Sequence, residues 1–299
     1  MALHVIVGAG AIGTATAEQL VADGHRVRVI TRSGSGPETA ERVAADASDA
    51  ERLTELTRGA AALYNCANPQ YHRWPTDWPP IANALLTAAE RTGAVLVAMS
   101  NLYGYGPVDG PMTEETPMRP TSFKTGIRAR MWADMLAAHQ AGRVRVSEAR
   151  GSDYVGPRAQ SILGEMVLPA VKAGKPASVP AELDAPHSWT YTVDAGRLLG
   201  VLGTREDAWG RAWHVPTAPA VSIREAAAEY ARLVGAPEPR LRRMPALVLR
   251  AGGLFSPIAR EFAKVAYQFE RPFVLDSSAA QKQFGLEPTS LTDALRAMA

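Results

Sequence analysis

The sequence predicts an α/β protein built on a doubly wound parallel sheet, with a smaller C-terminal substrate-binding region. Three observations point there. Short apolar runs alternate with amphipathic stretches through the N-terminal half, the order that stacks helices on both faces of a parallel sheet. Those runs are rich in Val and Ile and mostly lack polar alternation, as strands covered on both faces do. The first run passes directly into a glycine-rich turn and then a helix-like stretch.

That first strand is His4-Val5-Ile6-Val7, and the turn reads Gly8-Ala9-Gly10-Ala11-Ile12-Gly13. Gly8 permits the tight bend, Gly10 leaves room for a pyrophosphate, and Gly13 lets the helix lie close to the sheet. Amides at the helix start, among them those of Ala11 and Ile12, would bind the phosphates. This is the Rossmann-type dinucleotide signature. Further strands are expected at Val27–Ile30, Ala61–Cys66, Val95–Met99 and Val144–Val146. Helices are expected at Gly13–Asp23, Asp49–Thr57, Ile81–Thr92 and Lys124–Ala141.

The second strand ends in Thr31-Arg32-Ser33, where an NAD-selecting enzyme places a carboxylate for the ribose hydroxyls. Arg32 beside Ser33 and Ser35 suits a 2′-phosphate instead, so NADP(H) is expected over NAD(H). Asp46 either sits beside the adenine or caps the helix that starts near Asp49.

Farther on, regularity falls. Gly174–Pro186 reads as a connection with turns, and Ser222-Ile223-Arg224-Glu225 has the form of a capping box before a helix over Ala226–Val234. Leu247–Tyr267 reads as largely helical, and Leu291–Met298 as a short closing helix. The expected organisation is a dinucleotide-binding domain over 1–160, with a returning segment near 187–215. Residues 161–186 and 216–299 then form the smaller substrate-binding region.

Composition excludes several function classes. The 299 residues are 46% hydrophobic and 21% charged, enough for a sizeable core and too apolar for wholesale disorder. A net charge of +2, with scattered basic residues, argues against a nucleic-acid surface. The single cysteine, Cys66, excludes an intramolecular disulfide framework and a Cys-based zinc site, and no His/Asp/Glu spacing suggests a metal. No apolar stretch reaches membrane-spanning length and no signal peptide is evident, so a cytoplasmic protein is expected. The expected partner is a small-molecule substrate, with no nucleic acid or membrane, and a homodimer is allowed.

Four further segments carry a family resemblance. Tyr64-Asn65-Cys66-Ala67 stands where a fourth strand meets the cofactor, and Val97–Gly104 contains Ser100-Asn101-Leu102-Tyr103-Gly104 in the form S-x-x-Y-G. Arg150-Gly151-Ser152-Asp153-Tyr154-Val155-Gly156-Pro157 is similar to R-x-x-N-x-Y-G-P, and His187–Asp194 to F-x-Y-V-x-D. In this order and spacing the chain resembles the extended and atypical short-chain dehydrogenase/reductases, the superfamily of the NAD-dependent epimerases and dehydratases. The resemblance implies a nicotinamide cofactor held by Asn65, Cys66, Ala67, Ser100 and Tyr154 besides the glycine turn.

One departure bears on chemistry. The family's Y-x-x-x-K signature falls here on Lys124-Thr125-Gly126-Ile127-Arg128, so the proton-exchanging phenol is missing. This stretch resembles the K-x-x-[IV]-R helix start of isoflavone-reductase-like members, NADPH-dependent proteins in which a lysine is the acid/base. Residues four apart share a helix face, so Lys124 and Arg128 are expected to point together towards the cofactor. Like charge and desolvation would depress the lysine's pKa far enough for proton transfer. Arg128, which does not titrate, would fix the ribose or a substrate oxygen.

Other groups have smaller expected parts. Ser100 or Asn101 holds the substrate oxygen; Tyr103, Tyr105 and Tyr154 are either replacement phenols or packing. His187 is expected to be structural. The segment Asn68–Pro80 is expected to be a stiff aromatic loop that either walls a pocket or anchors itself to the body. Trp189, Phe255, Tyr267 and Phe269 are further candidate linings. The first expectation is hydride exchange with a carbonyl, an enone or an activated ring carbon of a small hydrophobic or aromatic metabolite. Its rivals are an epimerase or dehydratase with transient oxidation, and a non-catalytic nucleotide sensor.

Overall fold

A computed structural model describes residues 1–245, 261–262 and 264–299. Seven parallel strands form the central sheet: β1 (Leu3–Val7), β2 (Arg26–Thr31), β3 (Glu41–Ala44), β4 (Ala60–Asn65), β5 (Val95–Asn101), β6 (Val146–Gly151) and β10 (Ala212–His214). Their order is β10-β6-β5-β4-β1-β2-β3. The chain reverses direction of travel across the sheet between β1 and β4, and this switch point opens a crevice at the strands' carboxyl ends.

Helices α2 (Ala50–Thr57), α3 (Trp74–Thr92) and α4 (Phe123–Gln140) cover one face, where Leu53, Leu56, Leu85 and Trp132 join Val5, Leu63 and Leu96 in one core. Helices α1 (Ala11–Ala22) and α6 (Thr192–Thr204) cover the other, burying Leu20, Leu198 and Leu202 on Ile6, Val29 and Val97. α1 and α6 touch through backbone: a Cβ on Gly196 would stand 2.7 Å from the carbonyl carbon of Ala15.

A third core gathers the C-terminal elements α5 (Leu168–Lys172), α7 (Ile223–Val234) and α8 (Leu291–Arg296). Two short ladders flank it, β7 (Asp153–Val155) with β9 (Trp189–Tyr191) and β8 (Ala177–Val179) with β11 (Leu241–Arg243). The capping box forms as read: the Ser222 hydroxyl accepts from Glu225 N, the Glu225 carboxylate accepts from Ser222 N, and Gly235 ends the helix in the left-handed region.

Several sequence expectations change. Val144–Val146 is not the sixth strand; β6 starts at Val146 and runs to Gly151. Hydrophobicity hid it because it buries Glu148 and Arg150, paired at 2.6 Å. β3 was invisible as an apolar run because it is a short edge strand with Glu41, Arg42 and Ala44 exposed. Within the expected turn connection Gly174–Pro186 lies β8. Asn68–Pro80 is not a loop throughout: a 3-10 turn at Tyr71–Arg73 leads into α3, with Pro75 in its first turn and Pro79 and Pro80 inside. Of the helical reading over Leu247–Tyr267, residues 247–260 and 263 lie outside the described residues, and so does Phe255.

The α1–α6 contact supports the dinucleotide helix, and backbone cannot give way as a flexible side chain can. Gly196→Ala is therefore expected to destabilise the fold by about 1–3 kcal/mol, read as a lower urea midpoint at unchanged slope.

Candidate active site

At the carboxyl ends of the strands lies a cleft of about 830 Å³. Its floor is the β1–α1 turn. Gly8 has φ 102°, and a Cβ there would come 2.6 Å from the Cys66 carbonyl oxygen. A Cβ on Gly13 would come 2.1 Å from the Gly8 oxygen, so Gly13 serves packing behind the turn and does not line the cleft. Around Gly10 the space is open, with nothing within 4 Å of its would-be Cβ. As N-cap of α1, Gly10 offers no side chain to the helix's first amides. Free amides above an open approach fit a dinucleotide pyrophosphate.

One end of the cleft is formed by Arg32 after β2 and by Ala45–Ser48 after β3. Arg32 is exposed on the rim; Ser33 is off the wall, its hydroxyl donating to Ser35 Oγ at 3.0 Å. Asp46 lines the cleft and accepts from Ser48 N and Oγ at 2.9 and 2.8 Å, which holds its carboxyl below the usual range. The cap of α2 is Asp49, accepting from Arg52 N, which removes that role from Asp46.

Past the turn, Cys66 and Ala67 line the cleft, and burial pushes the Cys66 thiol up to about 12. Asn65 does not reach it; its side chain accepts from Ala67 N at 3.2 Å and shapes the bend.

The other end is aromatic. Ser100, Tyr103, Arg128 and Tyr154 reach the wall, joined by Tyr71, Trp74, Asp153, Gln268 and Phe273. Hydroxyls of Tyr71 and Tyr103 meet at 2.6 Å, and burial raises both phenols above the usual tyrosine range. Tyr154 donates to the Ser100 carbonyl at 2.8 Å and is raised by burial as well. All three therefore stay protonated near neutrality. Arg128 donates to the Met99 carbonyl at 2.9 Å, stacks 4.6 Å from the Trp78 ring centre, and leaves its buried Nε without a partner among the described residues.

Lys124 departs from expectation. It does not face the cleft beside Arg128; its ammonium lies 3.6 Å over the Tyr71 ring, 2% exposed, and 3.5 Å from Glu261. Sequence spacing placed it on the right helix face, but the aromatic turn before α3 covers it. Tyr105 is likewise not a cleft phenol: Arg150 donates to its oxygen at 2.7 Å, and it pairs with His214 Nε2 at 2.8 Å. Trp189, Phe269 and Tyr267 pack in the interior away from the cleft wall. His187 is structural in part, stacked on Phe269, yet it bonds Asp153 Oδ2 at 2.8 Å, and Asp153 faces the cleft.

Sequence reasoning missed Asp153, Gln268 and Phe273 as wall residues. Asp153 stood inside a quoted motif and carried a signal; Gln268 and Phe273 lie far along the chain and carried none. Among the described residues no group of three His, Cys, Asp or Glu is placed to hold a metal, and no helix is long and apolar enough to cross a membrane.

Comparison with known proteins gives the class. Residues 4–211 match the NAD dependent epimerase/dehydratase family, and the chain belongs to it. It is thus an NAD(P)-dependent enzyme of the epimerase/dehydratase or oxidoreductase kind. No curated protein matches the chain. Among solved structures it is similar to dTDP-glucose 4,6-dehydratase from Bacillus anthracis in complex with NAD, at TM-score 0.80 and 15% identity, covering 100% of this chain and 95% of that one. The Thermotoga maritima UDP-glucose 4-epimerase with UDP-glucose matches at 0.80 and 16%, covering 99% and 97%. UDP-glucuronic acid 4-epimerase from Bacillus cereus in complex with NAD matches at 0.77 and 16%, covering 99% and 96%. At such identities the likeness establishes the fold.

Lys124 makes a titration signature. Burial lowers its pKa from 10.5 to about 8, with Glu261 opposing the shift. Between those values the unfolded chain binds the proton that the folded chain has lost, so this group's contribution to stability rises with pH from about 8 to 10.5. The urea-stability difference between wild type and Lys124→Met is expected to move in favour of wild type across that window and to stay flat from pH 6 to 7.

Proposed function

We propose that this protein is an NADP(H)-dependent oxidoreductase acting on a carbonyl or enone of a small hydrophobic or aromatic substrate. One observation carries the reading: a protonated phenol, Tyr103, reaches the aromatic end of the cleft beside Arg128, while the lysine at the family tyrosine's position is covered by Tyr71. A reduced nicotinamide at the aromatic end, with its pyrophosphate on the glycine turn, would supply the hydride. Tyr103 would hold the substrate oxygen and give it a proton, and Ser100, which lines the same cleft, would share that oxygen. Arg128, permanently charged, would stabilise the negative charge that develops there. Trp74 and Phe273 give the substrate an apolar seat and exclude water. At the far end Arg32 would meet the 2′-phosphate.

The K-x-x-[IV]-R resemblance would give the proton transfer to Lys124. Its position under Tyr71 supports Tyr103 in that role instead.

A second reading follows from family membership: an epimerase or dehydratase that oxidises its substrate transiently and returns the hydride. Steady consumption of added NADPH with a panel of carbonyl compounds, followed by absorbance, supports the first reading. Product formation without net NADPH loss supports the second.

With a substrate in hand, Tyr103→Phe is expected to slow turnover on the order of 10²–10⁴-fold, the usual share of a positioned proton-transfer group. NADPH affinity should stay within about twofold, since the change deletes one oxygen outside the phosphate contacts. Lys124→Ala, which leaves Tyr103 in place, should cost far less.

Arg32→Asp should turn cofactor preference towards NAD(H), measured by calorimetric titration with both reduced cofactors. An unchanged NADPH/NADH ratio in that variant counts against the 2′-phosphate role.

A further inference from the structure

The segment from Tyr71 to Pro80 crosses the cleft from its phenol end to the end that carries Arg32. It contributes Arg73, Thr76 and Asp77 to the lining of the cleft that Asp46 and Ser48 also line. Ser48 chiefly holds down the Asp46 carboxyl and Arg73 that of Asp77, with Arg32 adding a smaller pull on each. Arg32, Asp46, Arg73 and Asp77 all line this one cleft.

Their hydrogen bonds decide what the cleft presents. Asp46 Oδ1 already accepts twice from Ser48. Asp77 takes Arg73 Nε at 2.9 Å and Nη2 at 2.9 Å, and also accepts the Thr76 hydroxyl at 3.2 Å. Arg73 keeps its Nη1 donors outside that pair, and its side chain is 54% exposed. A guanidinium presents five N–H groups in a fixed fork, so one edge can bind a carboxylate while the other binds a phosphate. With Asp77 paired to Arg73, Asp46 Oδ1 taken by Ser48 and guanidinium donors to spare, this end of the cleft can receive an anion.

We infer that Arg73 is a second cofactor-selecting residue, meeting the 2′-phosphate of NADP(H) from the α3 side while Arg32 meets it from the β2 side. Asp77 is a positioning residue: its i,i+4 pair with Arg73 fixes the guanidinium at the mouth of the cleft. The inference rests on the NADP(H) reading and adds to it a residue that lies outside the segment where dinucleotide enzymes carry their ribose-selecting side chain.

Calorimetric titration of the full-length protein tests it without any substrate, using NADPH, NADH and 2′,5′-ADP as probes. Arg73→Met keeps most of the apolar stem and removes the fork. It should weaken NADPH and 2′,5′-ADP about tenfold, some 1.4 kcal/mol, and change NADH less than twofold. Arg73→Lys, which keeps the charge, should fall between Met and wild type. Equal loss for NADPH and NADH would mean that Arg73 only braces the start of α3, and would overturn the inference. No loss with either cofactor overturns it too. Arg32→Met separates the two ideas: if it weakens NADPH selectively while Arg73→Met does not, the NADP(H) reading stands and the Arg73 inference falls. Should both variants leave NADPH and NADH unchanged, both fall together.

Discussion

Everything in the cleft hangs on how closely the β1–α1 turn is pressed against the end of β4. Gly8 and Gly13 lie where any Cβ would collide with backbone, and Cys66 is the surface they press on. That contact fixes the direction of α1, and α1 in turn packs backbone to backbone on α6 through Gly196. Gly10, between these two crowded positions, faces open space. Within this frame the loops after β2, β3, β4 and β5 reach one cleft from different parts of the chain.

The fold was largely legible because its evidence is local. Short apolar strand runs, the Gly8–Gly13 turn and the Ser222 capping box each declare themselves within ten residues or fewer. What escaped was decided by distant partners. β6 hides charge because Glu148 and Arg150 neutralise each other inside it. α3 starts at Trp74 in spite of Pro75, Pro79 and Pro80; a proline in the first helical turn loses no bond, and the Trp74 and Trp78 rings anchor the rest in the interior.

The site was legible by halves. Glycine-turn geometry follows from backbone sterics, which sequence reports well. The phenol end depends on where the Tyr71 turn comes to rest, and no pattern of residues gives that. Lys124 has the spacing to face the cleft, yet the Tyr71 ring covers its ammonium, and desolvation sets its proton affinity. Register on a helix gives direction; it does not say what lies in the way.

The buried chain Glu148–Arg150–Tyr105–His214 has a consequence for how the sheet opens. It ties the edge strand β10 to β6 and to the turn after β5, joining groups as far as 109 residues apart. His214 further bonds the Asp276 carbonyl at 2.7 Å, bringing in the C-terminal segment. Peeling β10 away would break the His214 bonds to Tyr105 and to the Asp276 carbonyl together, which opposes fraying of the edge residue by residue. It detaches as a unit or not at all. An edge held this way spends little time with its strand backbone bare, which is the state from which sheets recruit one another and aggregate.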